Sequence, residues 1–393
     1  QIVETYTRSY FEDMDALGVL RPDISPRASG HIPEQIKMIQ RLIEKGHAYV
    51  TEAGNVYFDV TSWPQFGKLS NRQIEDQQSG VREDVREDKR HPADFALWKI
   101  AEPEHILRWD SPWGVGYPGW HIECSAMSRK YLGETFDIHG GGIDNIFPHN
   151  ECEIAQSEAA HGADFAKYWL LTGTLMVPDE FGIPTKMSKS LGNFYTVKDA
   201  LKLHRPEVIR AFILGAHYRN PIVFSEEALD AAKRGWERIY GAVRLTREML
   251  RHAPDGDAGS DFLPMLERAR TEFVNCMDDD FNAPGAVAAL HDLTREVNTL
   301  LNGEQPVGKA VLEAIDQTYR DLGGQVLGIV PDEADDASGS AEREDGLIRL
   351  LIELRAQARA DKNFELSDLI RDRLGELGVT VEDRADGTVW RVS

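Results

Sequence analysis

The sequence predicts an α/β layered region, then an all-α region, then a small terminal unit of two helices and a hairpin. Three observations predict it. Residues 120–177 alternate helix-like and strand-like segments, the pattern of α/β layers. Residues 199–330 keep a helical period with few strand signals, as in Ala231-Ala232-Arg234-Trp236-Ile239-Tyr240-Val243 and Val287-Leu290-Leu293-Val297-Leu300. Past an acidic stretch, residues 347–377 read as two helices and 379–392 as a hairpin.

The elements follow in order. Ile2, Val3, Tyr6, Tyr10, Met14 and Leu17 recur at helical spacing, and Pro22 and Pro26 end that segment. A second helix is expected over 33–45, with Ile36, Ile39, Leu42 and Ile43 on one face and Gly46 as its stop. Ala48-Tyr49-Val50 and the run 56–60 flank Ala53-Gly54-Asn55, a β-hairpin signature. Residues 81–92 are densely charged, and 94–120 are rich in Trp, Pro and Gly. A strand over 173–177 and a helix over 197–203 enclose a loop rich in Lys and Ser. The stretch 331–345 holds seven acids and one Arg, which makes it a linker. The helices beyond it split near Lys362-Asn363, and Asp386-Gly387 joins the two strands of the terminal hairpin.

Composition narrows the function. With 393 residues, 41% of them apolar, the chain can bury a large core, enough for roughly two to four domains. The net charge of −22 excludes a wholly basic nucleic-acid coat but leaves room for a local basic groove. Three cysteines, Cys124, Cys152 and Cys276, supply no disulfide framework and point to a reducing compartment. No run reaches the roughly 20 apolar residues of a membrane span, and the N-terminus lacks a signal-peptide pattern. A cytoplasmic location without membrane contact is expected. The chain starts mid-helix without Met, as a fragment would.

Three segments carry chemistry. In Lys186-Met187-Ser188-Lys189-Ser190-Leu191-Gly192-Asn193, mobile ammonium groups beside hydroxyls suit a triphosphate whose leaving pyrophosphate gains charge. A solvated surface loop has the same composition. His149 and Glu153 stand four apart and share a helix face, with Cys124 25 residues before His149. Thiolate, imidazole and carboxylate are all zinc ligands. A buried free cysteine and a structural histidine fit the same residues, and Cys152 competes as the thiolate. Finally, Phe136-Asp137-Ile138-His139 runs into Gly140, Gly141, Gly142, Ile143 and Asp144. Glycines let a ligand approach the backbone, and a carboxylate past a parallel strand's carboxyl end can accept from ribose hydroxyls. A tight structural turn is the alternative.

Together these segments resemble the cysteinyl-tRNA synthetases. The match is carried by Gly119-Trp120-His121-Ile122-Glu123-Cys124-Ser125-Ala126-Met127, the run 136–144, Phe147-Pro148-His149, Glu153-Ile154-Ala155-Gln156-Ser157 and the loop 186–193. Asp88-Lys89-Arg90 with Pro92, Asp94-Phe95-Ala96-Leu97-Trp98-Lys99, His217-Tyr218-Arg219 and Met277-Asp278-Asp279-Asp280-Phe281-Asn282 extend it over nearly the whole chain. The resemblance implies the remnant of a doubly wound nucleotide-binding domain with a connective insertion, then a helical bundle and a small anticodon-binding domain. On that reading 1–117 holds a helical segment and the insertion. Residues 118–198 form the second half of the catalytic domain with the mobile lysine loop, and 199–330 the stem-contact region and bundle. Residues 331–346 are the acidic linker and 347–393 the anticodon-binding domain.

The same resemblance implies activation of L-cysteine by ATP with Mg²⁺, and transfer to cysteine tRNA by a monomer. Cys124, His149 and Glu153 match three of the family's four zinc ligands. Lys186 and Lys189 match the ATP-contacting loop. Gly140, Gly141, Gly142 and Asp144 match the adenylate edge, and Trp120, His121 and His139 line the pocket. The family's His-Xaa-Gly-His motif and fourth zinc ligand belong to an N-terminal half that precedes Gln1, so the isolated chain is expected to be inactive with an incomplete zinc site. Asn150 and Leu171 stand where the family has histidines. Arg355, Arg359 and Lys362 form a helical stripe suited to RNA phosphates, with Trp390 nearby. Two other readings fit: the cysteine–amino-sugar ligase of mycothiol synthesis, and a non-catalytic tRNA-binding fragment.

Overall fold

A computed structural model describes residues 2–72, 88–188, 192–332, 340–384 and 387–392. The chain divides into two compact units, 1–330 and 331–393.

The first unit opens with α1 (Ile2–Ala16), of which no residue is buried. The helical period is as expected, but Ile2, Val3, Tyr6 and Tyr10 face solvent. Helix α2 (Ile32–Glu44) buries Ile32, Met38, Ile39 and Leu42. Gly46 ends it at φ +82°, a left-handed conformation that strains other residues. The predicted hairpin is β1 (Ala48–Val50) and β2 (Val56–Phe58). It continues through β3 (Phe95–Ile100) and β4 (Gly116–Pro118) into an antiparallel sheet of order β1-β2-β3-β4. Buried Asp94 ties this sheet together. Its carboxylate accepts from Tyr49 Oη at 2.7 Å, and from the amides of Val60 and His91, each at 3.0 Å.

Helix α3 (Trp120–Leu132), strand β5 (Phe136–Gly142), helix α4 (Glu151–His161) and strand β6 (Ala166–Thr172) follow. Strands β5 and β6 run parallel, so α4 lies in the crossover of a β-α-β unit. Gly140, Gly141 and Gly142 form no turn. They end β5, opposite Leu170, Leu171 and Thr172. Strand β7 (Leu175–Pro178) pairs antiparallel with β8 (Pro184–Lys186) and parallel with β9 (Ile222–Val223). Lys186 therefore closes a strand rather than riding in the loop. Lys189 lies outside the described residues.

Every residue of α4 except His161 is buried. Helices buried all round are ordinarily apolar. This one carries three glutamates, and buried charge must find donors or cations. Glu151 Oε1 accepts from the Gly67 amide at 2.9 Å, and Oε2 from the amides of Leu69 at 3.1 Å and Ser70 at 2.8 Å. Glu158 takes the Lys68 ammonium at 2.6 and 2.7 Å and the Phe165 amide at 3.2 Å. The 67–70 segment is thus pinned to both ends of α4. Its tight course needs Gly67, at φ +98°, where a Cβ would sit 1.9 Å from the Arg72 carbonyl oxygen.

The expected helical region begins with α5 (Val197–Leu203) and α6 (Pro206–Leu214). Helices α7 (Glu226–Leu250), α8 (Leu263–Asp278), α9 (Ala283–Leu301) and α10 (Lys309–Tyr319) complete the bundle. Trp236, Leu290, Leu293, Val297, Leu312 and Ile315 share its core. Between α8 and α9, Asp280 accepts from Tyr218 Oη at 2.7 Å and from the Arg219 guanidinium at 2.6 and 3.1 Å. The Arg219 bond, then the Tyr218 bond, holds its carboxyl down at about 2.

The second unit consists of α11 (Ser340–Ala360), α12 (Phe364–Glu376) and the antiparallel hairpin β10 (Val379–Arg384) and β11 (Gly387–Val392). Ile348, Leu374 and Val379 form its core. Lys362, at φ +60°, breaks the two helices apart, and the Asn363 side chain caps α12 by accepting from the Leu366 amide at 3.2 Å. Three expectations change here. The linker placed at 331–346 ends sooner, because Ala341, Glu342, Arg343 and Glu344 are good helix formers and α11 starts at Ser340. Gly387 pairs with Arg384 and so belongs to β11 rather than to the joining turn; 385–386 lie outside the described residues. Arg355 is buried, so the phosphate stripe loses its first member; Arg359 and Lys362 are exposed. The Trp390 side chain also lies outside the described residues. Among the described residues, no helix is long and apolar enough to cross a membrane.

The Glu151 carboxylate makes a stability prediction. Glu151→Ala leaves three amide donors unpaired at about 1–3 kcal/mol for each one that stays buried, so urea unfolding should show a loss of about 3 kcal/mol or more. Glu34→Ala, which removes a surface bond to Lys130, should cost under about 1 kcal/mol. A Glu151→Ala loss no larger than the Glu34→Ala loss would show that other contacts hold the segment.

Candidate active site and metal centre

Three elements converge at the carboxyl end of β5. Helix α3 contributes Trp120, His121 and Cys124 from its first turns. Strand β5 contributes His139 and the glycine edge. The turn into α4, with α4 itself, contributes His149, Asn150 and Glu153. Ligand atoms of Cys124, His149 and Glu153 all lie within 4.8 Å of one another. The sequence pattern is therefore a spatial cluster. Cys152 is no rival: it packs into the core with Ile122, Ala126 and Ala155.

Glu153 is fully buried, and its two oxygens have different surroundings. Oε2 accepts from Asn150 Nδ2 at 2.9 Å and lies 3.1 Å from His139 Nε2. Oε1 is buried without a hydrogen-bond partner, 3.5 Å from His149 Nε2. His149 Nδ1 lies 2.9 Å from His121 Nδ1, so one ring carries the proton there and the other accepts it. Two indoles fix the imidazoles. Trp120 stacks on His149 with centroids 4.2 Å apart, and Trp169 stacks on His139 at 4.3 Å.

The surroundings decide the protonation states. Burial, reinforced by the charge of Glu153, pushes the Cys124 thiol up to about 12. Burial lowers the pKa of His149, against the opposing pull of Glu153. With no cation present the site holds a thiol, a neutral imidazole and a buried carboxylate oxygen without a donor. A cation answers that oxygen's missing partner, and a sulfur, nitrogen and oxygen donor set fits zinc.

The glycine edge lies open beside this cluster. A Cβ on Gly142 would meet nothing within 4 Å, and one on Gly141 only the Asn150 side chain, at 3.7 Å. Asp144 follows, exposed and bonded to Lys186 Nζ at 2.7 Å. Asn193 holds the ends of the lysine loop together: Oδ1 accepts from the Ser188 amide at 2.7 Å, and Nδ2 donates to the Lys186 carbonyl at 3.3 Å. Sequence reasoning placed Trp120, His121, His139, Cys124, His149 and Glu153 together, and they are together. It missed Trp169, Asn193 and the bond from Asn150. Trp169 was within reach through the parallel register, which pairs it with His139. Asn150 stood out only as a departure from a family pattern.

Comparison with known proteins finds three domain families in succession along the chain. Residues 1–234 match the class I (C) tRNA synthetase catalytic domain, 272–331 the DALR domain and 349–391 the cysteinyl-tRNA ligase anticodon binding domain. The chain is 52% identical to a cysteine–tRNA ligase of Deinococcus radiodurans, spanning 100% of this chain and 77% of that protein. It is 48% identical to a cysteine–tRNA ligase of Thermus thermophilus, spanning 100% and 79%. A crystal structure assigned as an arginyl-tRNA synthetase of Campylobacter jejuni superposes with a TM-score of 0.53 at 13% identity, covering 82% of this chain and 66% of that one, a likeness of fold alone. A class I catalytic domain is thus followed by a helical region and an anticodon-binding domain, and the chain belongs to the cysteine–tRNA ligase family of enzymes.

Proposed function

We propose that the residues of this chain serve the activation of L-cysteine by ATP and its transfer to cysteine tRNA, with zinc selecting the thiol. The observation that carries the reading is the Cys124–His149–Glu153 cluster, with its unpartnered Glu153 Oε1, at the carboxyl end of a parallel strand. Ligands of α/β folds bind at such strand ends. Cys124 Sγ, a ring nitrogen of His149 and Glu153 Oε1 would hold the metal. Bound there, zinc supplies a soft Lewis acid that prefers a thiolate to a hydroxyl, a discrimination beyond the roughly 1–3 kcal/mol of an apolar pocket.

The chain's own residues do the rest. Trp120 and His121 fix the His149 ring, and His139 forms the pocket wall over Trp169. The open edge of Gly140, Gly141 and Gly142 admits a nucleotide against the backbone, and Asp144 accepts from its ribose hydroxyls. Lys186 and Lys189 offset the charge that builds on the departing pyrophosphate, with Mg²⁺ accompanying ATP. The cysteine carboxylate attacks the α-phosphorus, and pyrophosphate leaves. A terminal ribose hydroxyl of the tRNA then attacks the adenylate carbonyl carbon, and AMP leaves. Residues 118–198 serve the chemistry, 199–330 the tRNA stem and 347–393 the anticodon. The match at 349–391 favours this reading over an amino-sugar ligase. Cytoplasmic conditions would keep the free cysteines Cys124, Cys152 and Cys276 reduced.

Three outcomes follow. Metal uptake must remove the Cys124 proton, and a thiol at about 12 is protonated throughout the neutral range. Zinc affinity, measured by chelator competition, should therefore rise about tenfold per pH unit from pH 6.5 to 8.5, and Cys124→Ser should abolish that slope. L-Cysteine, and not L-serine, should add a sulfur-to-metal absorption band to the Co²⁺-substituted protein; equal responses would contradict thiol selection. Deleting 347–393 should weaken binding to cysteine tRNA, and unchanged affinity would remove the anticodon assignment.

A further inference from the structure

A buried glutamate that offers one oxygen to a metal needs a partner for the other. The carboxylate turns about a soft terminal torsion, so an unrestrained Glu exchanges its oxygens or offers both. Here Oε2 is engaged twice, by Asn150 Nδ2 at 2.9 Å and by His139 Nε2 at 3.1 Å. Oε1 is engaged by no hydrogen bond. Asn150 is 1% exposed and three residues before Glu153, at the turn into α4. The amide orientation has a cost. Asn150 Oδ1 is itself buried without a partner, and an unpaired buried acceptor costs about 1–3 kcal/mol. Turning the amide over would set Oδ1 against the carboxylate, so Glu153 dictates which way Asn150 faces.

We infer that Asn150 is a positioning residue that locks Glu153 into presenting a single oxygen, Oε1, to the metal. The inference rests on the zinc reading above. One engaged oxygen keeps the ligand count low, leaving a position for the substrate sulfur.

The test uses the full chain with zinc and with Co²⁺. Asn150→Leu removes the donor at similar volume. Zinc affinity by chelator competition should fall about 10–100-fold. The visible bands of the Co²⁺ form should weaken, as they do when coordination number rises above four. Asn150→His retains an N–H donor and should restore both affinity and band intensity. Unchanged affinity and spectrum in Asn150→Leu would overturn the inference. So would lost affinity with undiminished bands, the mark of a packing role. If Asn150→Leu does not fold, His139→Phe frees the same oxygen from its other side and should weaken the bands; an unchanged spectrum there would overturn the inference equally. Failure of the unmutated chain to bind zinc would instead remove the zinc reading itself.

Discussion

A helix with glutamates at positions 151, 153 and 158 is buried on every side, and the rest of the catalytic unit is arranged to make that tolerable. A buried carboxylate without donors costs more than a domain's net stability can absorb. Each of the three therefore recruits its own partners. Glu151 draws in three backbone amides of one segment, and Glu158 takes the lysine and a further amide. Glu153, between them, recruits only one side of its carboxylate from the protein. The two terminal glutamates satisfy the fold. The central one is left half-satisfied, and the ligand cluster is built around that oxygen.

The geometry of the β-α-β unit makes this economical. The crossover helix starts where the first strand ends, so the groups at its N-terminal turn fall beside the strand's carboxyl end. His139, His149, Asn150 and Glu153 come from a segment of fifteen residues. Cys124, His121 and Trp120 arrive on the helix that packs alongside, and Trp169 on β6. Indole stacking then removes the ring rotations that hydrogen bonds alone would permit. The open glycine edge and Asp144 lie on the same rim, so the Cys124–His149–Glu153 cluster and that open edge share one strand end.

Much of this was legible in the sequence wherever the signal was local. Gly46 with its left-handed φ, the capping Asn363 and the start of α5 at Val197 all fell where turn and cap chemistry put them. The Cys124–His149–Glu153 cluster was legible as residue types, but only space could separate Cys124 from Cys152. Two features were not legible. Helix α4 has the Glu, Gln, Ser and Ala content of a solvated helix, and its burial follows from long-range partners such as Lys68 and Gly67. Helix α1 has the apolar spacing of a packed helix yet buries nothing. In both, tertiary context overrides a local pattern. The turn that stood as the alternative for glycines 140–142 fails for a similar reason: β6 pairs with them from about thirty residues away.

Amide hydrogen exchange across the intact chain tests the central claim most directly. If the buried polar helix organises this unit, the α4 amides should be among its slowest, and those of Gly67, Leu69 and Ser70 should be protected with them. Helix α1, with no buried residue, should exchange orders of magnitude faster. Exchange of the α4 amides at the rate of α1 would contradict the account, because a helix that opens that readily could not hold three carboxylates out of water.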